Sequence, residues 1–196
     1  MAWTDNFDSY PLLPLAGISR WLNGTYPNTQ FVPSTAQKYS GAQSLKFGTT
    51  VLDQLFCYLQ PAMAGLFSCR LYLPGGTCFF TAMSVAQGVP AATPSASMIV
   101  YNGVLYCYTT AYNGGTTLAL NAWHLIEMDV DVTNNRVRYR VDGGSWNGYY
   151  TGLGTTYPIG QISMTTQTGY GTTGAYIDDL VCPLDEMYNG RGFLSL

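Results

Sequence analysis

The segment from Trp123 to Gly143 limits the fold of this chain more than any other part of the sequence. Apolar and polar residues alternate from Trp123 to Val132 and again from Arg136 to Val141. An alternation of period two is typical of a β-strand that has one buried face and one exposed face. Two such strands with Thr133-Asn134-Asn135 between them predict an antiparallel β-hairpin.

The register of this hairpin can be predicted from its two faces. With a two-residue loop at Asn134-Asn135, the aliphatic side chains of both strands share one face, and the opposite face brings two aspartates onto two arginines. A shift by one residue would destroy both arrangements at once. We expect a structural salt-bridge ladder in which Asp131 pairs with Arg138 and Asp129 pairs with Arg140.

The rest of the chain shows the same preference for strands, and no segment carries a sustained helical period. The dipeptide Asn102-Gly103 fits both central positions of a type I′ turn and predicts a second tight hairpin. Residues 87–97 are rich in Pro, Ala and Ser and predict an exposed loop. Further strands are predicted at residues 43–47, 66–73, 78–85, 98–101, 104–108, 159–164 and 175–182.

The length of 196 residues suits one domain, predicted to span 1–196. An irregular N-terminal arm is expected at about residues 11–35, and an irregular C-terminal tail at residues 183–196. The formal charge is −3 and there is no basic run, so nucleic acid is not an expected partner. No apolar run reaches the roughly 20 residues that span a bilayer, and no signal peptide is apparent, so no membrane partner is expected.

Several motifs resemble those of a known superfamily. The pattern W-H-x-I-E-x-D-V-D, followed by N-x-V-x-Y-x-V-D-G, resembles the central hairpin of the concanavalin A-like lectin/glucanase superfamily, especially its laminin-G-like members. Residues 5–10 (DNFDSY) are similar to the opening strand of that superfamily, residues 41–47 (GAQSLKF) to its G-x-x-S-L strand, and residues 176–181 (YIDDLV) to its closing strand. The resemblance implies an all-β antiparallel sandwich of the jelly-roll type, without substantial helix.

The carboxylates of the hairpin raise the question of catalysis. Glu127-Met128-Asp129-Val130-Asp131 resembles the E-x-D-x-E strand of laminarinase-like glycosidases, although Asp131 stands where those enzymes have their acid/base Glu. Pairing with arginine lowers the pKa of a carboxyl, which opposes its use as a general acid. We therefore expect no catalytic residues and a non-enzymatic protein, and a glycanase or polysaccharide lyase is the less favoured alternative. His124, the single histidine, is expected to be structural.

No cofactor is required by these patterns, but a structural Ca²⁺ is a candidate. In many carbohydrate-binding jelly rolls the opening and closing strands lie side by side and share such an ion. The residues that would supply its oxygen ligands are Asp5, Asp8, Asp178 and Asp179. The alternative is that these carboxylates bond to neighbouring backbone. The five cysteines form no C-x-x-C pair and are expected to be buried free thiols.

Aromatic residues in and after the two hairpins form a candidate surface for a glycan or a protein partner, with core packing as the alternative. They are Tyr106, Tyr108, Tyr112, Trp146, Tyr149 and Tyr150. The tail carries a second candidate contact with a partner, formed by Phe193, Leu194 and Leu196.

Low charge and a polar surface rich in Thr, Asn, Gly and Tyr suit packing against other proteins. The favoured interpretation is a structural protein of a phage virion, either a capsid decoration (cement) protein or a tail component. It would be synthesised in the host cytoplasm and would form a homo-oligomer or contact major capsid protein or tail subunits through its arm and tail. The alternative is a carbohydrate-binding, lectin-like module that holds a host-surface glycan.

Overall fold

The structure is a computed structural model of the chain, and it describes residues 3–13, 21–23, 31–47, 52–75, 79–87, 94–153, 156–166 and 174–184. Within these ranges the regular structure consists of β-strands. The strands are β1 (Trp3–Asp5), β2 (Leu22–Asn23), β3 (Phe31–Ser34), β4 (Ser44–Phe47), β5 (Asp53–Ala62), β6 (Ala64–Tyr72), β7 (Phe79–Gln87), β8 (Pro94–Tyr101), β9 (Val104–Tyr108), β10 (Tyr112–Thr117), β11 (Trp123–Asp131), β12 (Arg136–Val141), β13 (Tyr150–Thr151), β14 (Ile159–Thr166) and β15 (Ala175–Cys182).

The strands form two antiparallel sheets. The eight-stranded sheet has the order β13-β12-β11-β6-β15-β4-β3, with β1 paired to β15, and the seven-stranded sheet has the order β10-β9-β8-β7-β14-β5-β2. The predicted antiparallel β-sandwich without substantial helix is therefore confirmed over the described residues. No helix in this part of the chain is long and apolar enough to cross a bilayer.

The core lies between the two sheets, where the alternation of the strands places it. On β6 the buried side chains include Phe67, Cys69 and Leu71, and β11 presents Ile126 and Met128 beside them. The residues between these positions point to the opposite side of the sheet, which we call the outer face. The described cysteines are buried, as expected: Cys57, Cys69, Cys107 and Cys182.

The hairpin of β11 and β12 confirms the predicted faces but corrects the predicted register. Its loop holds four residues, Val132 to Asn135, and the N–H of Asn135 bonds to the carbonyl of Val132 at 3.0 Å. The carboxylate of Asp131 accepts the N–H of Asn134 at 3.1 Å, which stabilises the longer turn. The shift is two residues, and because side chains repeat every two residues, each one keeps its face while its partner changes. The observed pairs are Glu127 with Arg140, Asp129 with Arg138 and Asp131 with Arg136.

The second predicted hairpin is confirmed. Tyr101 pairs with Val104 around a two-residue turn, and Asn102 and Gly103 both have positive φ, at 50° and 76°. This is the combination that a type I′ turn requires.

The predicted arm and loops are more regular than expected. Residues 11–35 contribute β2 and β3, and both Trp21 and Phe31 are fully buried. The predicted loop at 87–97 is shorter, because β8 begins at Pro94, and the opening strand ends at Asp5. Strands β1, β2 and β3 have only two to four residues each, which is too few to show an alternation in the sequence. Their formation therefore depends on pairing with a neighbouring strand. The tail residues Phe193, Leu194 and Leu196 lie outside the described residues.

Candidate functional site

A row of aromatic side chains crosses the outer face of the eight-stranded sheet. Trp123 on β11 pairs with Tyr72 on β6, Tyr72 pairs with Tyr176 on β15, and Tyr176 pairs with Lys46 on β4. Neighbouring strands lie about 4.8 Å apart, so the three rings span about 10 Å across the strands. Tyr39, from the loop at residues 35–43, lies beside Trp123. We call Tyr39, Tyr72, Trp123 and Tyr176 the aromatic patch.

The rings of the aromatic patch contact one another, and their exposure differs: Tyr39 is exposed, Tyr72 and Trp123 are partly exposed, and Tyr176 is buried. The ring centroids of Tyr72 and Trp123 are 5.4 Å apart, those of Tyr72 and Tyr176 are 6.0 Å apart, and the latter pair meets edge to face. Tyr39 meets Trp123 edge to face at 6.0 Å and is 46% exposed. The guanidinium of Arg70 lies 4.1 Å from the centroid of the Tyr39 ring.

Asp178 holds the Tyr39 loop against the sheet. Its Oδ2 accepts the N–H of Tyr39 at 2.9 Å and that of Ser40 at 3.0 Å, and its Oδ1 accepts the N–H of Asp179 at 2.8 Å. Asp179 has φ 45°, within a register shift of β15, and its Oδ1 accepts the hydroxyl of Ser40 at 2.7 Å. Burial raises the pKa of the Asp178 carboxyl, and the bonds from Ser40 and Tyr39 partly oppose that shift.

Asp8 holds the other end of the same loop. Its Oδ1 accepts the N–H of Ala42 at 2.6 Å and that of Gln43 at 2.9 Å. Gly41 has φ 59°, and a Cβ at this position would overlap the Asp8 carboxylate. Glycine is therefore required here for both its positive φ and its lack of a side chain.

Asp5 is likewise bonded to protein donors. Its Oδ1 accepts the N–H of Phe7 at 3.0 Å, and its Oδ2 accepts the hydroxyl of Tyr10 at 2.7 Å and the indole N–H of Trp21 at 2.9 Å. All four candidate calcium ligands thus accept N–H or O–H groups of the protein. The described residues hold no group of three or more His, Cys, Asp or Glu side chains that could bind a metal ion. The observed bonds are those of the alternative, in which the carboxylates bond to neighbouring protein donors, and the structural Ca²⁺ stays a prediction.

A ladder of ion pairs occupies the outer face beyond the aromatic patch. The carboxylate of Glu127 accepts two hydrogen bonds from Arg140, at 2.6 and 2.8 Å, and the carboxylate of Asp129 accepts one from Arg138 at 2.8 Å. Asp131 forms an ion pair with Arg136, in which a guanidinium nitrogen lies 3.0 Å from Asp131 Oδ2. The hydrogen bonds that Arg140 donates to Glu127 raise the pKa of Arg140, and the bonds from Asn134, followed by those from Arg136, lower the pKa of Asp131.

Two of the aromatic residues singled out from the sequence cover this ladder. Trp146 lies 4.6 Å from the guanidinium of Arg138 and 4.5 Å from that of Arg140. Tyr149 lies 4.1 Å from the guanidinium of Arg136. Each arginine is therefore held between a carboxylate and a ring, which is a structural arrangement of cation–π and ionic contacts.

The structure separates the remaining members of that predicted surface. Tyr106, Tyr108 and Tyr112 cluster on the seven-stranded sheet, with centroid distances of 5.6 Å and 5.2 Å from Tyr112 to the other two. Tyr150 stacks on the buried Tyr139 at 6.2 Å. The six residues do not form one surface, because Tyr106, Tyr108 and Tyr112 lie on the seven-stranded sheet, whereas Trp146 and Tyr149 lie over the arginines of the eight-stranded sheet.

His124 has the structural position that was expected. Its ring is buried, with Nδ1 2.7 Å from Asp142 Oδ2 and Nε2 3.0 Å from the carbonyl oxygen of Ala119. Asp142 also accepts the N–H of Leu125 at 2.8 Å. Since a carbonyl oxygen only accepts, Nε2 donates, and the ring ties the start of β11 to the end of the hairpin.

No protein-family model matches the chain, and no curated protein sequence matches it. Solved structures do match. A sialidase superposes with a TM-score of 0.70 at 10% identity, over 92% of this chain and 18% of that chain. The catalytic domain of the glycoside hydrolase family 131 protein from Coprinopsis cinerea gives 0.60 at 11% identity, over 97% and 98%. SCLam, a non-specific endo-beta-1,3(4)-glucanase from family GH16, gives 0.58 at 16% identity, over 92% and 89%.

These likenesses show that the chain has the concanavalin A-like jelly-roll fold, as the motifs implied. The chain spans 18% of the sialidase but most of the two glycoside hydrolase structures. The prediction of a non-enzymatic protein is contradicted, because proteins that share this sandwich include a sialidase, a glycoside hydrolase catalytic domain and a glucanase. The virion role finds no support among these structures. Assembly through the arm and tail, and the homo-oligomer, stay predictions.

The aromatic patch was missed from the sequence, although part of its signal was present. The alternation that buries Phe67, Cys69 and Leu71 already places Arg70 and Tyr72 on the outer face. Trp123 likewise shares the parity of Glu127. What the alternation does not reveal is that β11, β6 and β15 are neighbours, since they are distant in the sequence.

Proposed function

We propose that this domain binds carbohydrate, with the sugar lying on the aromatic patch of the eight-stranded sheet. The observation that carries the proposal is the group of Tyr39, Trp123 and Tyr72, which are exposed or partly exposed and lie side by side, with the buried Tyr176 supporting Tyr72 from the next strand. Aromatic ring faces carry partial negative charge, which attracts the C–H groups on the flat side of a pyranose ring. A row of rings set by strand spacing offers a chain of sugars more than one such contact.

Rigidity supports the same proposal. Three rings stand on paired strands, and the fourth, Tyr39, is on a loop that Asp178 and Asp8 fix through backbone N–H groups. A surface that is ordered before binding loses less conformational entropy when a ligand arrives. Polar groups beside the rings, among them Arg70 and Lys46, can bond to sugar hydroxyls.

We expect replacement of Trp123 or Tyr39 by alanine to weaken glycan binding by about tenfold or more, because a central aromatic contact contributes over roughly 1 kcal/mol. A glycan array would identify a ligand for the native chain, and isothermal titration calorimetry would then give the affinity of each variant. The Tyr39→Ala variant is the more conservative of the two, since Tyr39 is on a loop and 46% exposed.

Tyr112→Ala is the matched control, because Tyr112 is 52% exposed and lies on the seven-stranded sheet. It should bind as tightly as the native chain. If Tyr112→Ala lost binding while Trp123→Ala and Tyr39→Ala kept it, the site would lie on the other sheet, among Tyr106, Tyr108 and Tyr112. A native chain that bound no glycan on the array would refute carbohydrate binding.

Glycoside hydrolysis at the same face is the second candidate function. The observation that favours it is the position of Glu127, Asp129 and Asp131, which follow Trp123 on the same face at alternate positions of β11. Retaining glycosidases use two carboxyl groups about 5–5.5 Å apart on either side of the bond to be cleaved. The arginines opposite these carboxylates keep acceptor oxygens in place but oppose the protonated form that a general acid requires.

For this candidate, we expect the native chain to release reducing ends from a bound polysaccharide and Glu127→Gln to lose at least about a hundredfold of that rate. Arg136→Gln, at the far end of the ladder, is the control and should keep activity. Circular dichroism would show that both variants are folded. No release of reducing ends by the native chain from any polysaccharide that it binds would remove hydrolysis and leave binding as the function.

A further inference from the structure

The aromatic patch is bordered by cations that form no ion pair with any carboxylate in the part of the chain that the structure describes. Six of the eight lysines and arginines fall within the described residues. Arg136, Arg138 and Arg140 form ion pairs within the ladder. Over the same described residues, no carboxylate lies within ion-pair distance of the other three, which are Lys38, Lys46 and Arg70.

Arg70 is the best placed of these three to bind an anion. Its guanidinium lies over the ring of Tyr39, at 4.1 Å from the centroid, and this contact holds the group while its N–H donors point outward in its own plane. The carboxylate opposite Arg70 in the sheet register is that of Asp178. Asp178 is fully buried, its two oxygens accept three backbone N–H groups, and it forms no ion pair with Arg70.

The two lysines lie at the borders of the same surface. Lys46 is exposed and continues the row beyond Tyr176, and Lys38 is exposed and immediately precedes Tyr39. The chain as a whole has a formal charge of −3, so a group of three cations around one patch, without ion pairs among the described residues, is a local feature. It makes the patch complementary to an anionic ligand.

We infer that the carbohydrate bound by the aromatic patch is acidic, and that Arg70 binds the carboxylate of a uronic acid unit stacked beside Tyr39 and Trp123. This inference rests on the proposed carbohydrate binding. The planar guanidinium presents two parallel N–H donors that match the two oxygens of a carboxylate, which a neutral sugar lacks. Lys46 and Lys38 add attraction for the acidic groups of neighbouring units.

The test centres on oligogalacturonate and its methyl ester, which differ in charge but not in backbone, and adds other acidic and neutral oligosaccharides. Calorimetry would be done with oligogalacturonate and its methyl ester, then with alginate and hyaluronan oligosaccharides, neutral cello- and laminari-oligosaccharides, and dextran sulfate. The native chain should bind at least one uronate, and more tightly than the matched neutral ligand. Arg70→Gln should lower that affinity about tenfold or more, whereas Arg138→Gln, whose arginine is paired with Asp129, should change it less than about twofold. Added salt should weaken uronate binding.

The outcomes separate this inference from the proposal on which it rests. Neutral oligosaccharides that bind as tightly as uronates, with no loss in Arg70→Gln, would overturn the inference and leave carbohydrate binding intact. Tighter binding of dextran sulfate than of every uronate would overturn the assignment of a carboxylate. Failure of every oligosaccharide to bind would overturn both. If Arg70→Gln does not fold, Lys46→Gln provides the same comparison at an exposed position, with a smaller expected loss.

Discussion

Replacing Tyr139 by alanine is expected to lower the free energy of unfolding by about 3–5 kcal/mol, as for other buried aromatic residues. Tyr139 is fully buried, and its ring stacks on Tyr150. Its hydroxyl accepts the N–H of Gly115 at 3.2 Å and bonds to Thr116 Oγ1 at 3.1 Å. One side chain of β12 thereby connects the edge of the eight-stranded sheet to β10 of the other sheet.

Urea denaturation followed by fluorescence would measure this loss. Tyr139→Phe separates the two contributions, because it keeps the ring and removes the hydroxyl; we expect a cost of about 1–2 kcal/mol from the lost bonds to Gly115 and Thr116. Tyr106→Phe, on the outside of the seven-stranded sheet, should be nearly neutral. A cost below about 1 kcal/mol for Tyr139→Ala would contradict the burial of this ring between the sheets.

Replacing Asp178 by alanine is expected to have two effects at once. Three N–H groups, those of Tyr39, Ser40 and Asp179, lose their acceptor, and we expect a loss of roughly 2–4 kcal/mol in the free energy of unfolding. The Tyr39 loop also loses an anchor, so the affinity for a glycan should fall even when the variant is fully folded. Asp178 is in this sense a positioning residue for Tyr39.

Asp129→Ala is the control for this variant, because Asp129 lies on the same face in a half-exposed pair with Arg138. Such pairs contribute at most about 1 kcal/mol. Calorimetry at a temperature where both variants are folded would measure glycan affinity. If Asp178→Ala bound as tightly as the native chain, Tyr39 would not depend on Asp178 for its position.

The raised pKa of the Asp178 carboxyl also predicts that the stability of the protein depends on pH. Its pKa is raised in the folded state by burial, so the folded chain holds this proton more tightly than the unfolded chain, whose value is near 3.8. Stability from this group is therefore fully present below pH 3.8 and is lost as the pH rises through the raised folded pKa. The difference in unfolding free energy between the native chain and Asp178→Asn should fall with rising pH over that window. A difference that stayed constant would contradict the burial of the carboxyl.

The alternation of apolar and polar residues along each strand determined which residues of this protein face the core. The alternation of β11 and β12 predicted that Met128 and Val130 are buried and that Asp129 and Asp131 lie on the other face, and the structure agrees. Glu127 also lies on that other face, but it is buried at 8% exposure, where Arg140 bonds to it. Asn102-Gly103 likewise predicted a tight turn, because positive φ at two successive positions is a property of those residue types. These features depend on a few consecutive residues, so they can be read from the chain directly.

The tertiary structure alone decided which residues meet. The hairpin register moved by two residues because Asp131 bonds to the turn, a contact that alternation does not encode. The aromatic patch joins strands that begin at positions 64, 123 and 175, together with a loop that Asp178 holds from more than a hundred residues away. Strand order follows from packing the whole core between two sheets, so the sequence by itself determined the sandwich and its faces, and only the folded chain placed Tyr39, Tyr72, Trp123 and Arg70 side by side.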